Sequence, residues 1–213
     1  MLIERPPRWF RILFPGAIFR MPPGEAGFKR VFLTFDDGPI PEVTPWVLDI
    51  LDTFGVKATF FMVGQNVERY PHLFEEVKRR GHMVGNHTLH HIKGTTSLKR
   101  YLYDSKEGER LTGSKLFRPP HGLLSPWQLR SLKKHYRIVM YDLVSRDYSQ
   151  RLSAEQVISN VKNFTRDGSI IVFHDSLKSL PRISTALPVC LEWLKNEGYI
   201  FSLFPDPDKD VIK

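Results

Sequence analysis

Apolar positions along the chain switch repeatedly between two spacings. Val31-Phe32-Leu33-Thr34-Phe35 is an apolar run of strand length rich in β-branched and aromatic residues. It lacks polar alternation, which predicts a strand buried on both faces. The run stops at Asp36-Asp37-Gly38-Pro39, two acids and a turn signal. Val43, Val47, Ile50, Leu51 and Phe54 then recur at helical spacing behind Thr44-Pro45. The exchange continues with a run from Lys57 to Val63 and a helix over about 67–80 that ends at Gly81. A short strand from His82 to Asn86 precedes a helix capped at Ser97 and reaching about 112. Leu116-Phe117-Arg118 is stopped by Pro119-Pro120, and Ser125 to His135 reads as a helix. Tyr136 to Val144 reads as one strand. Ser153-Ala154-Glu155-Gln156 fits a capping box with a slip of one residue, before a helix to about 165. Ile170 to Phe173, a helix over about 182–196 and Tyr199 to Leu203 complete the pattern.

Seven strand–helix alternations without a break in composition predict one α/β domain with a parallel sheet. That many repeats can close into a barrel. A doubly wound open sheet is the alternative, although no Gly-x-Gly-x-x-Gly follows the first strand. Residues 1–29, rich in Pro and Gly, read as an irregular N-terminal arm ahead of a domain over 30–213.

The chain of 213 residues can bury a full core, and its net charge of +8 favours acidic partners. The basic residues are scattered, with no aromatic-interleaved stripe, so no nucleic-acid partner is expected. The single cysteine, Cys190, sits in the apolar pattern of Leu187, Leu191 and Leu194 and reads as a buried structural thiol. No stretch reaches the ~20 apolar residues of a membrane span. No clear signal peptide is present, which gives a cytoplasmic default with the cell envelope as alternative. The arm carries Arg5, Arg8, Trp9, Phe10 and Arg11. It either packs across the domain or makes peripheral contact with a membrane surface.

Most candidate polar residues stand where strands end. Asp36 and Asp37 end the first, His87 and His91 follow the third, Arg118 ends the fourth, Asp147 follows the fifth, and His174-Asp175 end the sixth. In parallel α/β proteins those ends share one rim, where ligands bind. Two adjacent acids there repel each other unless a cation relieves them. His87 and His91 can face one metal if the segment turns helically, and the three histidines in five residues leave His87 with His90 as an alternative. Two imidazoles and a carboxylate suit zinc and other divalent metals.

Thr34-Phe35-Asp36-Asp37-Gly38-Pro39, His87-Thr88-x-x-His91, Arg118-Pro119-Pro120, Asp147 and Val172-x-His174 resemble, in order, the motifs of the polysaccharide deacetylase family, the NodB-homology group of carbohydrate esterases. The resemblance covers about residues 30–204. It implies a deformed (β/α)7 barrel that removes acetyl groups from acetylated sugars with a divalent metal: zinc first, with cobalt, nickel or manganese as alternatives. It implies that Asp37, His87 and His91 hold the metal. Asp36 would be the general base toward the attacking water, and Arg118 would orient Asp36. His174 would be the general acid toward the leaving amine, with Asp147 keeping it protonated. The backbone N–H of His121 would help hold the oxyanion, and Pro119, His121 and Tyr148 would contact substrate. The partner implied is an acetylated glycan.

The sequence departs from the family pattern at three places. His121 stands where Tyr is usual. Val144-Ser145-Arg146-Asp147-Tyr148 replaces Asp-x-x-Asp-Trp, which adds the charge of Arg146 near the site. Val172 replaces Leu. The same site acting on a formamide or ureide, and a non-catalytic carbohydrate-binding homologue, are the competing readings.

Overall fold

The computed structural model describes residues 4–24 and 27–205. Residues 1–3, 25–26 and 206–213, which include the two ends of the expected arm and domain, lie outside the described residues. Strand β1, Lys29–Asp36, is the middle of the sheet, and Val31 to Asp36 are all buried. Pleating sends its residues alternately to opposite sides. Val31, Leu33 and Phe35 face the helices and pack with Val47, Leu48, Phe173 and Leu191. Phe32 faces inward with Phe61, Ile170 and Phe204. Thr34 and Asp36 follow Phe32 on this inner face. Strand β7, Ser169–His174, obeys the same rule: Ile171 and Phe173 face the helices, and Ile170, Val172 and His174 face inward.

The strands β2 (Thr59–Met62), β3 (Met83–Asn86), β4 (Leu116–Phe117), β5 (Arg137–Ile138) and β6 (Leu143–Val144) complete the order β5-β4-β3-β2-β1-β7-β6. Strand β8, Tyr199–Phe201, pairs with the start of β1, and the ladders are parallel throughout. The edge strands β5 and β6 are joined by only four residues, 139–142. Four residues reach at most about 14 Å, so the sheet must curl until its edges face each other. The result is the expected deformed barrel, open at one seam.

At that seam the expected single strand from Tyr136 to Val144 is instead two short strands. The Val139 N–H bonds to Phe117 on the β4 side, whereas the Asp142 N–H bonds to Ile170 on the β7 side, so the chain crosses between edges. Ile18 of the arm fills the gap, donating to the Ile138 carbonyl at 2.8 Å and accepting from the Met140 N–H at 2.8 Å.

The helix expected over 67–80 is also two, α3 (Gly64–Arg69) and α4 (Pro71–Arg79). Pro71 bars helical geometry at the preceding residue, and Tyr70 sits at φ −128°, ψ 58°. Ser97 occupies the N-cap of α5 (Leu98–Thr112), yet its side chain makes no capping bond. The capping box of α7 (Ala154–Phe164) forms between Ser153 and Gln156 with no slip, and a second joins Ser125 and Gln128 at α6 (Pro126–Leu132). The remaining helices are α1 (Arg8–Ile12), α2 (Thr44–Thr53) and α8 (Leu180–Asn196). Cys190 is buried in α8, and burial pushes its thiol up to about 12, as suits a structural residue. No helix among the described residues is long and apolar enough to cross a membrane.

The arm packs across the domain. Phe14 and Phe19 join Tyr101, Phe117 and Leu129 in a satellite core. Asp142, fully buried at the seam, accepts from Arg11 at 2.7 Å, from Arg166 at 2.6 Å and from the Ser169 hydroxyl at 2.8 Å. Burial alone pushes its carboxyl up, but the bonds from Arg166, Ser169 and Arg11 hold it down at about 2. Asp142→Ala leaves guanidiniums without their acceptor. It should lower the unfolding free energy in urea by about 3 kcal/mol and speed tryptic cleavage at Arg8 and Arg11. An unchanged unfolding midpoint would remove Asp142 from this role.

Candidate active site

The C-terminal ends of β1, β3, β4, β6 and β7 deliver the polar groups to one cleft of about 170 Å³. Asp36, Asp37, His87, His91, Arg118, Pro119, His121, Tyr148 and His174 all line it. Asp147 lies behind it, fully buried. The sequence-derived set is therefore gathered at one place.

Asp36 and His174 are register partners on adjacent strands, both on the inner face. Arg118 reaches across from β4: its Nη1 donates to Asp36 Oδ1 at 2.6 Å and to Thr34 Oγ1 at 2.8 Å. Its Nη2 donates to the Met140 carbonyl at 3.0 Å, its Nε to the Val139 carbonyl at 3.4 Å, and the guanidinium stacks over Phe61 at 4.0 Å. Asp36 Oδ1 is thus committed, which leaves Oδ2 to take a proton.

Asp37, His87 and His91 each offer one ligand atom, and these atoms lie within 4.8 Å of one another. Asp37 Oδ1 is 3.2 Å from His91 Nε2 and 3.7 Å from His87 Nε2. The Nδ1–H of His87 donates to the Arg118 carbonyl at 2.8 Å, which leaves the Nε2 lone pair facing the cluster. Burial brings His87 down to about 4, so it is neutral, as a ligand must be. Burial pushes Asp37 up, but the bond to His91 and the charge of His174 outweigh it, and its carboxyl falls well below the usual range. An ionised carboxylate and two imidazoles, one with its tautomer fixed, fit a divalent cation.

The histidines do not meet through a helical turn. Thr88 and His91 take positive φ values of 64° and 54°, so left-handed kinks fold the loop back on itself. A β-branched Thr in that region is strained. Asp37 (φ 82°) and His121 (φ 59°) share this conformation, so the strain concentrates at the cleft. The spacing ambiguity is also resolved. His90 turns away and pairs with Asp104, Nδ1 to Oδ1 at 2.7 Å, and is outside the cluster.

His174 Nδ1–H donates to Asp147 Oδ1 at 2.8 Å, and the His174 backbone N–H donates to Asp147 Oδ2 at 2.7 Å. Burial alone lowers the imidazole, but the Asp147 charge and hydrogen bond outweigh it, helped by Asp37 and Asp36, and the result is about 9. The Tyr148 ring packs edge-on against His174 at 4.7 Å. Arg146 pairs with Glu4 and does not line the cleft, so the extra charge expected near the site is directed to the arm.

Sequence reasoning missed Tyr141, Lys178 and Asn66, and it named Asp175 only as a polar residue at a strand end. Tyr141 joins Val144, Val172 and Tyr148 in an apolar wall beside Asp36 and His174. Reading Tyr136–Val144 as one strand hid its place at a break. Lys178 lines the opening and has no ion-pair partner among the described residues. Asp175 accepts from the Gly38 N–H at 3.1 Å and the Thr44 hydroxyl at 2.6 Å, which fixes the turn carrying Asp37. A Cβ on Gly38 would fall 2.0 Å from Asp175 Oδ2, so the turn needs glycine. The Asn66 amide secures the Asp37 carbonyl at 2.8 Å.

The sequence profile of the family described as polysaccharide deacetylase matches residues 24–136. The chain is 34% identical over 186 residues to a peptidoglycan-N-acetylglucosamine deacetylase of Bacillus cereus, covering 81% of this chain and 85% of that one. It is 28% identical over 194 residues to the peptidoglycan-N-acetylmuramic acid deacetylase PdaA of Bacillus subtilis, covering 86% and 73%. The crystal structure of the peptidoglycan N-acetylglucosamine deacetylase Bc1960 superposes with a TM-score of 0.80 at 32% identity, covering 89% of this chain and 91% of that one.

One consequence is measurable without substrate. His174 rises from an ordinary 6.5 to about 9. Its pairing therefore stabilises the fold fully below about 6.5, and that contribution fades as pH rises through about 9. In the metal-free protein the His174 imidazole resonances should titrate near 9, and Asp147→Asn should bring the midpoint down by more than one unit. A wild-type midpoint at the ordinary value would contradict the pairing.

Proposed function

The chain belongs to the polysaccharide deacetylase family, and on that footing we propose that it removes acetyl groups from N-acetylated sugars of a peptidoglycan-type glycan. The observation that carries this reading is the placement of Asp36 and His174. They are register partners beside the Asp37–His87–His91 cluster, and each has a charged partner of its own, Arg118 for Asp36 and Asp147 for His174. Binding alone needs neither a base nor an acid.

Asp37, His87 and His91 would hold a divalent cation, zinc first. When bound, it supplies a Lewis acid that polarises the acetyl carbonyl and lowers the pKa of a nearby water to about 7. Asp36 Oδ2 accepts the proton of the attacking water, and Arg118 keeps the carboxylate aimed. The water oxygen bonds to the acetyl carbon, and the backbone N–H of His121 faces the oxyanion. The carbon–nitrogen bond breaks as His174 Nε2 gives its proton to the leaving amine. Acetate and a free amino sugar result. The wall of Tyr141, Val144, Val172 and Tyr148 suits the acetyl methyl, and Lys178 suits an acidic group on the glycan.

Zinc-loaded protein should release acetate from peptidoglycan fragments or N-acetylglucosamine oligomers, and Asp36→Asn should lower kcat by at least about 10²-fold while retaining zinc. Release of formate from N-formyl analogues with no acetate release would favour the formamide reading. No turnover of either, with oligosaccharide binding intact, would leave a binding protein.

A further inference from the structure

On the flank that carries the arm, Arg5, Arg8, Arg11, Arg20 and Arg166 line a cleft of about 520 Å³ that plays no part in the chemistry above. The carboxylate beneath them is Asp142, which bonds Arg11 and Arg166 and lies 3.6 Å from Arg5. Five guanidiniums around one carboxylate leave a strong excess of positive charge. Arg8 and Arg20 are exposed, with no ion-pair or side-chain hydrogen-bond partner among the described residues. Arg5 Nε is buried with no hydrogen-bond partner, a donor that the protein itself does not satisfy. Guanidinium clusters of this kind recognise phosphate through paired N–H bonds.

Two apolar features adjoin this charge. A trough of about 610 Å³ shares Arg11 and Arg20 with the cleft and is lined by Phe14, Ile18, Phe19 and Met21. On α1 and its C-cap, Trp9, Ile12 and Leu13 fall at positions i, i+3 and i+4, one helical face, and are 63%, 76% and 58% exposed. Arg8 and Arg11 lie on the neighbouring face of the same helix. An exposed apolar ridge edged by arginines is the pattern of a segment lying in a membrane interface.

We propose that the arm is a membrane-docking surface: the arginine cleft takes the phosphate of an anionic phospholipid, and Trp9, Ile12 and Leu13 enter the bilayer boundary beside it. The match of charge selects this occupant, because a neutral apolar partner would leave the guanidinium excess unanswered. The inference does not rest on the deacetylase reading.

The test is co-sedimentation of the full chain with vesicles of phosphatidylcholine alone and of phosphatidylcholine with phosphatidylglycerol. The variants are Arg8→Glu/Arg20→Glu and Trp9→Ser/Ile12→Ser, each checked for an unchanged melting temperature. Arg8 and Arg20 hold no structural partner, so their variant should fold. The expected result is strong binding only to the phosphatidylglycerol vesicles, weakened by salt and by at least about tenfold in either variant. Equal binding by the arginine variant, or no binding to either vesicle, would overturn the proposal. Binding that inorganic phosphate abolishes and that is indifferent to Trp9→Ser/Ile12→Ser would also overturn it, and would reassign the cleft to a soluble anion.

Discussion

The Arg118 guanidinium inside the barrel is the contact on which the rest of the site depends. A buried charge is tolerable only where its donors are met, and these donors are met by β1, by the seam and by the face of Phe61. The carbonyls of Val139 and Met140 lie where the sheet ladder is broken, so Arg118 satisfies backbone groups that a closed barrel would pair with a strand. The same side chain fixes Asp36, and its backbone carbonyl fixes the tautomer of His87. One residue thereby couples the seam of the fold, the carboxylate beside the cleft and one imidazole of the candidate metal cluster. Loss of its charge would leave Asp36 buried and unpaired, at a cost of about 3–5 kcal/mol.

Two carboxylates from consecutive positions serve different purposes because the pleat separates them. Asp36 ends the strand on the inner face beside Arg118, whereas Asp37 turns through a positive φ toward the histidines. Asp147 and His174 form a second pair, joined by hydrogen bonds of its own. Adjacent acids at the end of a buried strand are unfavourable taken alone. Here one is neutralised by a guanidinium, and the other faces two imidazoles in an arrangement that suits a cation.

Much of this was legible in the sequence. The apolar run of β1, the stops at Asp36-Asp37 and Pro119-Pro120, and the order of the motifs placed the polar residues on one rim. What was hidden depends on backbone geometry or on distant partners. Thr88 and His91 adopt left-handed conformations that no propensity assigns to them, so the choice between His90 and His91 could not be made from spacing. Asp104, which draws His90 away, lies on α5, fourteen positions along the chain. The break between β5 and β6 depends on Ile18, more than a hundred positions earlier, and the place of Asp142, inside the stretch read as one strand, depends on Arg11 of the arm and on Arg166 just before β7.

The measurement that tests the account most directly is bound zinc per chain after loading and desalting, for wild type, His87→Ala, His91→Ala and His90→Ala. The account predicts about one equivalent in the wild type and in His90→Ala, and loss in the other two. Retention by His87→Ala and His91→Ala together with loss in His90→Ala would contradict it, as would a wild type that retains no metal.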